Sequence, residues 1–242
     1  MSLFLRVIVT MIVFGCLGYG GCGGHLKYTI NDSLLADVPL AEKQAMLNVR
    51  DEQAQLKQVQ MQARSEQTIA KRDLAAADAE TRIAQMEIAK VQADVDLAKS
   101  TRDLNRINRA KVRLTVAELG RSTADVKMQW RKLCLKYSEQ QMRVLDRQAK
   151  YEEARYEQEK ARLAAAKGKR PYENFSLAPF DLQVEEAQKR WAKERVESDK
   201  LKQKIMHTES HYQQLQDQLT SARTAAPIQA VPPAPPFGPS YP

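Results

Sequence analysis

The run from Leu40 to Lys167 contains no proline and one glycine, Gly120. These two residue types oppose helix most strongly, by roughly 3 and 1 kcal/mol per site, so the run predicts helix almost throughout. Stepping by seven from Val49 gives Leu56, Ala63, Ala70, Ala77, Ala84, Val91 and Ala98, all apolar. The positions three residues before these begin polar, at Gln53, Gln60 and Gln67, and become apolar at Leu74, Ile88 and Val95, with Thr81 between. Leu74, Ala77, Ala84, Ile88, Val91 and Val95 thus belong to a 3-4 seam of the kind that lines a left-handed coiled coil. Its alanines let helices approach closely, but each layer buries less apolar area than leucine would.

After Ala98 the phase slips, and Thr101, Arg102 and Asn105 fill the expected apolar slots. A new stripe, Ile107, Leu114, Met128, Leu135, Met142, Ala149, Tyr156 and Leu163, keeps a spacing of seven with Arg121 as its exception. Such a slip changes the supercoil or the partner helix. Past Gly120 a second stripe through Val126, Trp130, Leu133, Tyr137, Val144 and Tyr151 runs beside the first, so this part of the helix touches more than one neighbour. Gly120 followed by Ser122 reads as a stop and restart, or as one point on an unbroken helix whose stripe continues in phase.

Gly168 is expected to end the helix, and Pro171 and Pro179 mark a loop. Asp181 is the expected N-cap of a last helix to about Arg223, with Leu201, Ile205, Leu215 and Leu219 on its seam. The expected fold is all-α: an elongated coiled coil with a C-terminal antiparallel helical hairpin. Its parts are a long helix over 39–119 and a hairpin over 120–223, with helices 121–167 and 181–223 around a loop at 168–180. The Ala- and Pro-rich stretch 224–242 reads as a disordered tail.

Composition agrees with rods. The chain of 242 residues is 28% charged and 6% aromatic, and six of its nine glycines crowd between Gly15 and Gly24. A compact enzyme would spread glycines and aromatics through its length. The net charge of +8 permits an anionic partner. Charges alternate in sign along the helices, however, and only Lys167, Lys169 and Arg170 form a compact basic group. Trp130 and Trp191 lie at seam spacing, which favours packing over a nucleic-acid platform.

At the N-terminus, Arg6 precedes an apolar stretch, Val7 to Phe14, broken by Thr10. Small residues follow, with Cys16 after Val13-Phe14-Gly15 and Cys22 after Tyr19-Gly20-Gly21. This resembles the signal of bacterial lipoproteins, whose lipobox ends in a cysteine that becomes the acylated mature N-terminus. The resemblance implies a signal over 1–21, lipidation at Cys22 with Cys16 as the alternative, and a tether over 22–38. It also implies residence in the cell envelope: the residue after the cysteine, Gly23 or Leu17, is not the Asp that tends to retain such proteins at the inner membrane. An outer-membrane lipoprotein facing the periplasm or the cell surface is expected.

Candidate chemistry is sparse. There is no glycine-rich phosphate loop and no Cys-x-x-Cys pair. His207 and His211 are spaced to share a helix face, but no third ligand is evident, so no metal and no cofactor are expected. No catalytic residue is expected either, because the carboxylates lie on solvated helix faces. Cys134 has the neighbours of a partly buried thiol, and with Cys22 acylated it could cross-link only between copies. These features predict a lipid-anchored structural or scaffold protein, a homo-oligomer or the partner of another envelope protein, with no nucleic acid. The alternatives are a periplasmic holdase chaperone with helical arms and, less favoured, a transport-complex adaptor.

Overall fold

The computed structural model describes residues 26–168 and 176–225. Among them the fold is all-α, with three long helices packed lengthwise: α1 (Gln44–Ser100), α2 (Leu104–Ala166) and α3 (Ala178–Ala225). Two short 3₁₀ turns, Asp32–Leu35 and Leu40–Lys43, precede α1. With 63 residues, α2 is about 95 Å long. It is the central helix: α1 and α3 each pack along it antiparallel, on separate sides, and hardly touch one another. The result is an open layer of three rods.

The helix expected over 39–119 is in fact two. The chain reverses at Thr101-Arg102-Asp103, and Gly120 lies inside α2. Arg102 takes φ 55°, the left-handed conformation that a helix end demands and that glycine usually supplies. Thr101 closes α1 by donating its hydroxyl to the Ala98 carbonyl at 2.7 Å. Asp103 opens α2 as N-cap, its Oδ1 accepting from the amides of Asn105 at 2.9 Å and Arg106 at 3.2 Å. The phase slip after Ala98 is therefore the signature of this reversal. Gly120 does not stop the helix: it faces α3, where an added Cβ would meet Leu219 Cδ1 at 3.9 Å.

Small residues set the spacing of α1 and α2. Ala77 and Ala98 are fully enclosed, and the Thr81 hydroxyl reaches both its own helix, at Ala77 O, and the Ala124 carbonyl of α2 at 3.3 Å. Larger side chains fill in on either side, with Leu56 and Ala63 against Leu145, and Val95 and Ala98 against Ala110. Charge fixes the register. Glu42, Glu52, Asp73 and Glu80, on α1 and the turn before it, pair with Lys167, Arg155, Arg131 and Lys127 at the end of and along α2. The acid always comes from the α1 side. Sliding or inverting the pair would separate all four contacts.

The interface of α2 with α3 is more polar and more aromatic. Trp130 stacks on Tyr212, and Tyr151 on Trp191. Between these stacks Gln140 donates to the Glu194 carbonyl and carboxylate, at 3.1 and 2.7 Å, and Gln141 donates to Ser198 Oγ at 2.6 Å. Gly168, at φ 58°, terminates α2. α3 begins at Ala178, three residues before Asp181, and the Ala178 amide donates to Ser176 Oγ. Asp181 lies inside the first turn and accepts from Gln158. α3 continues to Ala225, two residues past the expected end.

Candidate functional site

The two ends of this rod differ in construction. At one end the expected tether is not a free strand from residue 26 onward. It crosses the face of α2 from α3 to α1. Tyr28 packs its ring on Phe180 and exchanges two hydrogen bonds with the Gln183 amide side chain. Ile30 is buried with Ala161 and Phe180, then Leu35 and Val38 are buried with Ala164 beside Leu163 and Met46. Alanines at 161 and 164 leave room on α2 for this strap. Asn31 caps the first 3₁₀ turn by accepting the Ser33 amide.

A buried ionic group locks the strap. Glu157 Oε2 accepts the Ile30 amide at 2.6 Å, and its other oxygen accepts from Lys160 Nζ at 2.9 Å. Lys160, only 4% exposed, also pairs with Asp32 at 2.6 Å. Burial works against the Lys160 charge, but the bonds to Asp32 and Glu157 outweigh it and hold its pKa above the ordinary lysine value. One turn away, burial pushes the Glu152 carboxyl up, against the opposing pull of Arg155, which Glu52 shares.

Among the described residues, the far end is uncovered by any strap and is basic. The central helix carries 15 cations against 8 anions, whereas α1 has 8 against 9 and α3 has 8 of each, so α2 holds most of the chain's surplus positive charge. Where the acids of α1 meet it, that charge is paired. Near the reversal Arg106, Arg109 and Arg113 line an open hollow of about 300 Å³ with Asp94, Ala98 and Ala110. None of the three arginines makes an ion pair among the described residues. The end of α3 also lies toward this end, since Leu219 packs at Gly120.

The remaining expected residues fall as follows. Ala77, Val95 and Leu219 are buried, while Leu74, Ala84, Ile88, Val91, Leu201, Ile205 and Leu215 are half-buried. Cys134 is a half-buried free thiol whose pKa burial raises, so it is held as the protonated thiol. His207 and His211 are exposed on α3, and no three metal-binding side chains gather among the described residues. Cys16 and Cys22, most of the 168–180 loop and the Pro-rich tail from 226 lie outside the described residues. No described helix is long and apolar enough to cross a membrane. The strap and its lock had a faint sequence signal, the apolar spacing of Tyr28, Ile30, Leu34, Leu35 and Val38. No protein-family model, curated protein or solved structure matches the chain.

Proposed function

We propose that this chain is a lipid-anchored spacer of the bacterial cell envelope, acylated at Cys22 or, alternatively, at Cys16, with a non-enzymatic, structural role. The observation that carries the reading is the separation of the two ends. The N-terminal strap is bound where α2 ends and α3 begins, and the α1–α2 reversal lies about 95 Å away, by the rise of the 63-residue α2. An anchor just before the strap holds one end at a membrane. The paired helices set a distance, and the basic reversal and the end of α3 are presented away from that membrane. The holdase alternative needs an apolar cleft held open between arms, and here both outer helices lie packed along α2, which favours the spacer.

Metabolic labelling with a palmitate analogue tests the anchor. Wild type and one of the two variants Cys16→Ala and Cys22→Ala should take up label, and the other variant should not. Absence of label from the wild-type chain would overturn the reading.

A further inference from the structure

An open layer of helices has two outer edges, and they are unlike. On α1 the face turned away from α2 carries its own 3-4 series. Ile69, Ala76, Ile83 and Leu97 fall at intervals of seven with Lys90 the one cation among them, and Ala79, Met86 and Ala93 continue a second row begun by Arg72. All are exposed, Ile83 by 59% and Met86 by 64%. This strip keeps step with the inner seam on the same helix for 29 residues, about 43 Å. A stripe of that period and length fits another long helix better than a compact surface. The outer face of α3 offers no equivalent run: Leu182, Val196 and Met206 are exposed there, but they stand among Glu186, Lys189, Lys193, Lys200 and His207, all exposed.

We propose that the outer face of α1 between Ile69 and Leu97 is the contact surface for a second copy of this chain, α1 against α1 and antiparallel. Head-to-tail addition would set this strip against the charged edge of α3. Only a two-fold contact covers apolar surface with apolar surface, and it closes after two copies. Charge sets the direction. Parallel strips would face Arg72 and Lys90 with their own copies. With Ile83 set against Met86 of the second copy, antiparallel strips place Ala76 against Ala93 and Arg82 beside Glu87, with no cation facing its like. Two strips of this length and about 12 Å width cover roughly 1,000 Å², the lower bound for a specific interface, so the dimer forms reversibly. The contact uses no acyl chain and stands independently of the anchor.

The test is disulfide cross-linking of the full chain in detergent, with Cys16, Cys22 and Cys134 replaced by serine and one cysteine introduced at a time. Ile83→Cys should form covalent dimers several-fold faster than Lys193→Cys on the charged edge of α3, and adding Met86→Glu should abolish the difference. Circular dichroism should be unchanged, because both side chains are exposed. Ile69→Cys, which in this antiparallel register lies 31 residues and about 46 Å from its own copy, should cross-link no faster than Lys193→Cys. Equal rates at 83 and 193, or a rate at 69 matching that at 83, would overturn the proposal. So would an Ile83→Cys thiol that does not cross-link but is shielded from a water-soluble maleimide by phosphatidylcholine vesicles, since that strip would face lipid.

Discussion

Trp130 and Tyr212 stack with ring centroids 5.6 Å apart, and 21 residues along each helix Tyr151 and Trp191 repeat the contact at 5.4 Å with the ring types exchanged. The two stacks grip α3 on either side of the glutamine contacts at Gln140 and Gln141. Each indole is capped by a guanidinium, Arg131 over Trp130 and Arg195 over Trp191. Both indole N–H groups are buried without a hydrogen-bond partner among the described residues. Phenylalanine therefore loses ring area but no bond. Trp130→Phe should cost less than about 1.5 kcal/mol in urea unfolding, and Trp130→Ala about 2–4 kcal/mol, the usual range for emptying a packed aromatic site.

The reversal stores a correctable cost. Arg102 holds a conformation that disfavours side chains by roughly 1–2 kcal/mol. Arg102→Gly should stabilise the protein by about 1 kcal/mol in thermal or urea unfolding. Asp103→Ala should destabilise it by about 1 kcal/mol, through loss of the two amides that Asp103 accepts.

Gly120 offers the opposite test. It is mid-helix, without a left-handed backbone, and an added methyl would sit at ordinary contact distance from Leu219. Gly120→Ala should therefore raise stability by about 0.5–1 kcal/mol. A bend or turn at this position would instead be damaged by the substitution.

The strap lock should be sensitive to alkali. Lys160 has a folded pKa above its ordinary value, so its stabilisation is complete at neutral pH and disappears as pH rises through that folded value. Hydrogen exchange or limited proteolysis should show residues 26–39 loosening at high pH before the helices melt. Lys160→Met should bring the loosening to neutral pH at a cost of about 3 kcal/mol, because Glu157 is left charged and buried. Glu152 shifts in the same direction, but there burial penalises the charged form. Its raised folded pKa means that the native state takes up its proton more readily, so this group's cost is relieved as pH falls through that value. Glu152→Gln should be neutral or mildly stabilising at pH 7.

Helix was legible along most of this chain because breakers are missing, and Gly168 at the end of α2 can be read directly. The reversal was not, because its left-handed position is filled by Arg102, which carries no turn signature. Only the phase slip between Ala98 and Ile107 betrays it, and a slip alone is equally compatible with a change of supercoil. Gly120 attracted the break by residue type, whereas its position on the face toward Leu219 accounts for its place in the helix. The lock escaped for a related reason: Glu157 and Lys160 look like any charge pair on a solvated face until the strap is laid over them. The pairing of acids on the α1 side with bases on α2 needs the reversal at 101–103 before it becomes visible.

The strap touches α3 through Tyr28, α2 through Ile30 and Glu157, and α1 through Val38 and Met46. Tension applied at the N-terminus is consequently spread over three helices before it can open any one of them. Along the rods themselves such a pull acts in shear, loading many side-chain layers together rather than peeling them one after another. Extension under load should therefore begin in the strap, and the long body should move as one stiff piece.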